Sequence, residues 1–230
     1  MERKYELRSQ ETLDTMTRLL DRGVTKMSLI LRHSDRHYHK DPMMEPFMGL
    51  TEPGKTYALD LGAKMPAVLV PKLYASHFGR CIETAYLVDK GFTRTHHRQL
   101  THTVTSQTLA PFYIKDIRKA LELMMAKGGT AFIRSWFDRE IDGSVMEDPE
   151  HTADVLTDFM LERLDELDES DGPAASVCIS HDWNIFPIKE FKLGLPHEGA
   201  GDVGYLDGIA FFRENGAAWA TTFQTDPVKL

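Results

Sequence analysis

Three observations predict an α/β fold. Short apolar runs recur along the chain, each bounded by charge or turn residues: Met27-Ser28-Leu29-Ile30-Leu31, Lys72-Leu73-Tyr74-Ala75-Ser76 and Ala175-Ser176-Val177-Cys178-Ile179-Ser180. Runs of this length suit buried strands better than amphipathic helices. Longer segments with helical apolar spacing lie between them. Each run also leads straight into polar residues capable of chemistry, which is where open α/β sheets place ligands, outside the carboxyl ends of their strands.

In chain order, residues 10–22 read as an amphipathic helix with Leu13, Met16, Leu19 and Leu20 on one face and Gly23 as its stop signal. The first strand follows. Thr51-Glu52-Pro53-Gly54 reads as a capped helix start, running to about Met65. The second strand leads through His77-Phe78-Gly79 into a helix that begins near Arg80. Residues 115–127 and 130–140 read as two helices joined by Lys127-Gly128-Gly129, and a helix is expected over residues 150–167 after Asp148-Pro149. The third strand is followed by a helical stretch that Pro187 can enter only near its first turn. Residues 205–212 and 217–223 flank Glu214-Asn215-Gly216, a hairpin signal. Neither a repeat nor a low-complexity linker interrupts this pattern.

The bulk properties narrow the function classes. With 230 residues the chain can bury a sizeable core, which suggests one domain over residues 1–230, with residues 110–149 as a small helical cap insertion. The net charge of -8 and pI of about 5.7 argue against general nucleic-acid binding. No apolar stretch is long enough to span a membrane, and Met1-Glu2-Arg3-Lys4-Tyr5-Glu6 opens no secretory signal, so a cytoplasmic location is expected. Cys81 and Cys178 are the only cysteines, and both fall in apolar segments, which predicts two reduced structural thiols. Oligomeric state leaves no mark on the sequence.

The strand ends carry the chemistry. Behind the first strand stands Arg32-His33-Ser34-Asp35-Arg36; behind the second, Arg80; behind the third, His181-Asp182. Guanidinium groups recognise phosphate through paired N–H donors. Their charge also disfavours imidazolium, so His33 should remain neutral and nucleophilic near pH 7. Arg80 falls in the first turn of a helix, where backbone N–H groups add to the attraction for anions. A charged stretch after a strand is usually a solvated loop; three such stretches of this composition point instead to phosphoryl transfer.

The ordered set resembles the histidine phosphatase superfamily, the phosphoglycerate-mutase-like fold that includes the histidine acid phosphatases. Members carry an Arg-His-Gly-x-Arg signature, a later Ser-x-x-x-Arg segment and a His-Asp pair toward the C-terminus. This chain supplies Arg32-His33-Ser34-Asp35-Arg36, Ser76-His77-Phe78-Gly79-Arg80 and His181-Asp182, in that order, across roughly residues 26–190. The resemblance implies a three-layer α/β/α sandwich with a central, mostly parallel sheet. It also implies that His33 accepts the phosphoryl group and that Arg32, Arg36, Arg80 and His181 bind phosphate. Asp182 then acts as general acid and base, and no metal or other cofactor is required. In the mutase-like branch the proton donor is a glutamate in the segment after the second arginine's helix. Residues 96–113 contain no aspartate or glutamate, which favours the acid-phosphatase branch and Asp182 over Glu83.

The expected activity is therefore hydrolysis of a small phosphomonoester. A phosphotransferase or mutase using the same His33 chemistry is the alternative, and a non-catalytic phosphate-binding regulator is a third. Ser34 departs from the family glycine, and could crowd the phosphate or offer it a hydroxyl; His37 stands where the acid phosphatases carry a small residue. Two other motifs carry less. Gly199-Ala200-Gly201-Asp202-Val203-Gly204 has dinucleotide-binding spacing, but a helix precedes it and a strand follows, the reverse of what that motif needs. His33, His37 and His39 with His96, His97 and His102 invite a metal reading, yet the arginines beside His33 would repel a cation and no acidic cluster accompanies them. Met43, Met44, Phe47 and Met48 are expected to pack against the fold or to wall the pocket.

Overall fold

The computed structural model describes residues 5–169 and 171–230. Its centre is a seven-stranded sheet in the order β3-β2-β4-β1-β5-β6-β7. The strands are β1 (Lys26–Arg32), β2 (Val70–Ser76), β3 (Val104–Ser106), β4 (Ala174–Ser180), β5 (Gly208–Glu214), β6 (Ala217–Thr221) and β7 (Val228–Lys229). The first four pair in parallel, and β5 to β7 continue the sheet antiparallel. Among the described residues, eight α-helices form: α1 (Ser9–Asp21), α2 (Glu52–Lys64), α3 (Gly79–His96), α4 (Ile117–Lys127), α5 (Gly129–Phe137), α6 (Pro149–Asp165), α7 (Asp182–Phe191) and α8 (His197–Ala200).

Side-chain alternation along the strands builds the layers. Met27, Leu29 and Leu31 of β1, Leu73 and Ala75 of β2, and Val177 and Ile179 of β4 join one core cluster with Leu13 and Met16 of α1, Leu61 of α2 and Val88 of α3. The intervening Ile30, Tyr74 and Cys178 face the opposite cluster, with Phe132 of α5, Leu156 and Met160 of α6 and Ile185 of α7. Both faces of the parallel strands are thus covered, which is why their sequences are nearly continuously apolar.

The helix expected over 10–22 is α1, and Thr51 caps α2 by accepting from the Gly54 amide at 3.1 Å. Asn215 and Gly216 both have positive φ, 52° and 75°, as the tight turn between β5 and β6 requires. One local expectation differs. Pro187 lies in the second turn of α7 rather than its first, because the helix already begins at Asp182. Cys81 and Cys178 are buried free thiols. Among the described residues, no helix is long and apolar enough to cross a membrane.

Helices α2 and α3 meet backbone to backbone. A Cβ placed on Gly91 would lie 2.0 Å from the Leu59 carbonyl oxygen, and one on Gly62 would lie 2.0 Å from that of Val88. Replacing Gly91 with Ala must push the helices apart. The expected loss is about 2–3 kcal/mol by urea denaturation. Gly143→Ala, at a position with no atom within 4 Å of the added carbon, serves as the near-neutral control.

Candidate active site

The parallel ladder sets the site. Arg32 lies opposite Ser180, and Ala75 opposite Ile179, so β1, β2 and β4 end at one level. The His33 amide donates to the Ser180 carbonyl at 3.0 Å, extending the ladder one residue past the strands. His33 and His181 consequently face each other, ring centroids 5.6 Å apart.

His33 is buried, and its Nδ1 lies 2.8 Å from the Ser34 carbonyl oxygen. A carbonyl only accepts, so Nδ1 carries the proton and Nε2 keeps its lone pair. Burial drives the pKa of His33 well below its ordinary value, and the charges of Arg80, Arg32 and His181 push it further down. His181 is shifted the same way, by burial first and then by Arg80, Arg36 and Arg32. Its tautomer is equally determined. Arg80 Nη2 donates to His181 Nδ1 at 3.1 Å, so Nε2 bears the proton that reaches Ser76 Oγ at 3.0 Å. Ser76 therefore positions His181, a role that its place in the Ser-x-x-x-Arg segment did not reveal.

The arginines are held individually. Arg32 donates to the Val203 carbonyl at 2.7 Å, pairs with Asp182 at 3.1 Å and lies over the rings of Tyr5 and Tyr205 at 3.7 and 4.7 Å. Of the glycine-rich 199–204 segment, Gly199 and Ala200 close α8 and residues 201–204 form a loop whose Val203 carbonyl touches the site. Arg36 pairs with Glu45 and lies 3.9 Å from the centroid of Tyr38. Arg80, second residue of α3, donates to the Glu45 carbonyl at 2.8 Å and sits 4.9 Å from the Phe78 ring. Burial lowers its pKa to about 10, which still leaves it charged at neutral pH. The Nε atoms of all three guanidiniums are buried without a hydrogen-bond partner. Arg134 and Arg163 share that property, so what distinguishes the three is their convergence on two facing histidines.

Asp182 opens α7, its Oδ1 accepting from the Trp183 amide at 3.0 Å and its Oδ2 facing Arg32. Glu83 is engaged elsewhere: its Oε2 accepts from the Leu50 amide at 2.7 Å and ties the 37–50 loop to α3. Ser34 neither crowds the pocket nor offers it a donor. Its hydroxyl turns away and donates to the Gly54 carbonyl at 2.7 Å, while its amide donates to Thr84 Oγ1. The hydroxyl thereby locks the loop onto the first turn of α2. His37 and His39 are exposed in that loop, and His96 and His97 close α3. Among the described residues, no group of three or more His, Cys, Asp or Glu side chains is placed to share a metal ion.

No protein-family model and no curated protein matches the chain. Solved structures do. A phosphoglycerate mutase from Bacillus anthracis superposes with a TM-score of 0.58 at 18% identity, covering 86% of this chain and 92% of its own. Bacillus stearothermophilus YhfR gives 0.55 at 18%, covering 85% and 95%. The fold is that of phosphoglycerate mutase. A mycobacterial glucosyl-3-phosphoglycerate phosphatase shares it with a TM-score of 0.50 at 18% identity, covering 81% and 89%. The expected fold class is therefore correct, with the mostly parallel sheet ending β1 at Arg32, β2 at Ser76 and β4 at Ser180.

The two buried histidines make stability depend on pH in a defined direction. Each binds a proton near pH 6.5 when unfolded but resists one when folded, so the folded state loses stability as pH falls below about 6.5. Each contributes up to about 1.4 kcal/mol per pH unit. Denaturation midpoints between pH 7 and 5.5 should fall less steeply in His181→Gln than in the unaltered protein. An equal slope would contradict the neutral, buried state of His181.

Proposed function

We propose that the protein is a phosphomonoester hydrolase working through a phosphohistidine on His33, with its chemistry closest to the histidine acid phosphatase branch. The observation that carries this reading is the fixed tautomer of His33: Nδ1 is committed to the Ser34 carbonyl, and Nε2 is an unprotonated nucleophile beside the guanidiniums of Arg80 and Arg32. Shared fold with a phosphatase and a mutase supports phosphoryl chemistry at this position of the sheet.

In the proposed first half-reaction His33 Nε2 attacks phosphorus, the N–P bond forms and the P–O ester bond breaks. The leaving oxygen takes the proton of the Asp182 carboxyl. Arg32, Arg36, Arg80 and His181 surround the charge that spreads over the equatorial oxygens, His181 releasing Ser76 Oγ to turn its Nε2–H to the phosphate. Water then gives a proton to Asp182 and attacks phosphorus. The N–P bond breaks, phosphate leaves and His33 is restored. Guanidinium charge does the electrostatic work in this scheme, so it has no step that requires a metal. Residues 110–149, which contain α4 and α5, serve as a cap beside the site, since Asn184 anchors them to the His181-Asp182 turn. The Tyr113 hydroxyl donates to Asn184 Oδ1 at 3.1 Å, and Asn184 Nδ2 donates to the Ala110 carbonyl at 3.3 Å.

Hydrolysis of p-nitrophenyl phosphate in EDTA tests the reading. His33→Ala should lower turnover about a thousandfold or more, and quenching in alkali should trap an acid-labile phosphoryl group on His33. Activity surviving in His33→Ala would sink the assignment. Asp182→Asn should cost about 10²–10⁴-fold on an alkyl phosphate and far less on p-nitrophenyl phosphate, whose leaving group departs without a proton. Equal losses on both would remove Asp182 from the acid role.

A further inference from the structure

A groove of about 350 Å³ opens beside the phosphate-facing residues. Its walls include Met43, Pro46, Phe78, Phe112, Ile117 and Leu121. Phe78 joins it to the site: one side of its surroundings is the groove, and the other is His181, 5.0 Å away between ring centroids. Glu45 joins it from the opposite side, lining the groove while its carboxylate meets Arg36 and its carbonyl meets Arg80. Met43, Phe112 and Ile117 are 57%, 36% and 43% exposed, a concentration of apolar surface that a soluble face does not need.

The geometry points to a substrate class: phosphomonoesters whose alcohol portion is apolar, an alkyl chain or aromatic ring lying along this groove while the phosphate meets Arg36 and Arg80. This inference rests on the phosphate-site reading above. A sugar or other polyol would have to leave several hydroxyls facing carbon, since the polar side chains along the walls are those of Glu45, His77 and Gln107. Unpaired polar groups are penalised on burial, whereas each buried methylene favours binding. The chemistry of the walls therefore selects against polyols as well as for apolar groups.

Ethyl and hexyl phosphate have leaving groups of equal basicity, so a difference in kcat/KM between them reports the groove and not the chemical step. Hexyl phosphate should be favoured at least tenfold, which corresponds to fewer than half of the four additional methylenes becoming buried. Calorimetric Kd values for ethyl- and hexylphosphonate should show the same ratio without turnover. Ile117→Gln and Phe112→Gln should each reduce that ratio several-fold. Met125→Gln, on the same helix as Ile117 but outside the groove, should leave it unchanged. A phosphonate ratio near one, tighter binding of a glycerol-based phosphonate, or a dimer in sedimentation that Ile117→Gln dissociates would overturn the inference. If no ester is turned over yet the phosphonate ratio persists, the hydrolase reading fails while the groove's preference stands.

Discussion

Everything in the site depends on the register of β4 between β1 and β2. Arg32 pairs with Ser180 and Ala75 with Ile179, and the His33 amide then takes the Ser180 carbonyl. Side chains alternate faces with a period of two, so a slip of one residue in β4 would send His181 to the wrong face and separate it from Ser76 and Arg80. Register is held by packing: Val177 and Ile179 fit one core and Cys178 the other, and a slip would turn Ser176 and Ser180 away from the Arg163 and Leu109 carbonyls to which they donate.

That dependence explains which parts of the site could be read from sequence. Arg32, His33, Arg36, Arg80, His181 and Asp182 each lie within a few residues of a strand end, and apolar strands announce themselves locally. Glu45 did not. It sits in the short helix Pro42–Phe47, whose residues carry no period, and its partners Arg36 and Arg80 are chosen by how the loop folds back. Tyr205 and Tyr38 are joined by a hydroxyl contact of 3.2 Å across 167 positions of sequence, and no local signal predicts such a pair. Ser34 shows a different gap. The residue was visible as a departure from the family pattern, but which way its hydroxyl turns depends on where α2 lies, and α2 comes close only because Gly54 has no side chain. A Cβ there would stand 2.0 Å from the Asp35 carbonyl oxygen.

The helices contribute beyond packing. α3 begins at Gly79 and α7 at Asp182, so both helices start just past the carboxyl ends of β2 and β4, and the positive ends of their dipoles lie on the site's side of the sheet. The early start of α7 is what places Asp182 at its first position, with the Trp183 amide holding Oδ1. A helix beginning nearer Pro187 would have left Asp182 in a loop, without that anchor. Loss of one hydrogen bond at Pro187 is a modest cost beside the positioning gained.

Charge balance explains why the basic groups are arginines. Three guanidiniums crowd the two histidines, and two carboxylates, Asp182 on Arg32 and Glu45 on Arg36, offset part of their mutual repulsion. Arg80 has no carboxylate within ion-pair distance among its described contacts and instead meets a carbonyl, an imidazole and a phenyl ring. Its burial lowers the pKa to about 10, leaving a full charge at pH 7. A lysine begins lower, at about 10.4, so the same burial would push it toward neutral pH, within reach of losing its proton in use. A buried cation that must stay charged without a resident counter-ion has to start from a very high pKa, and guanidinium is the side chain that does.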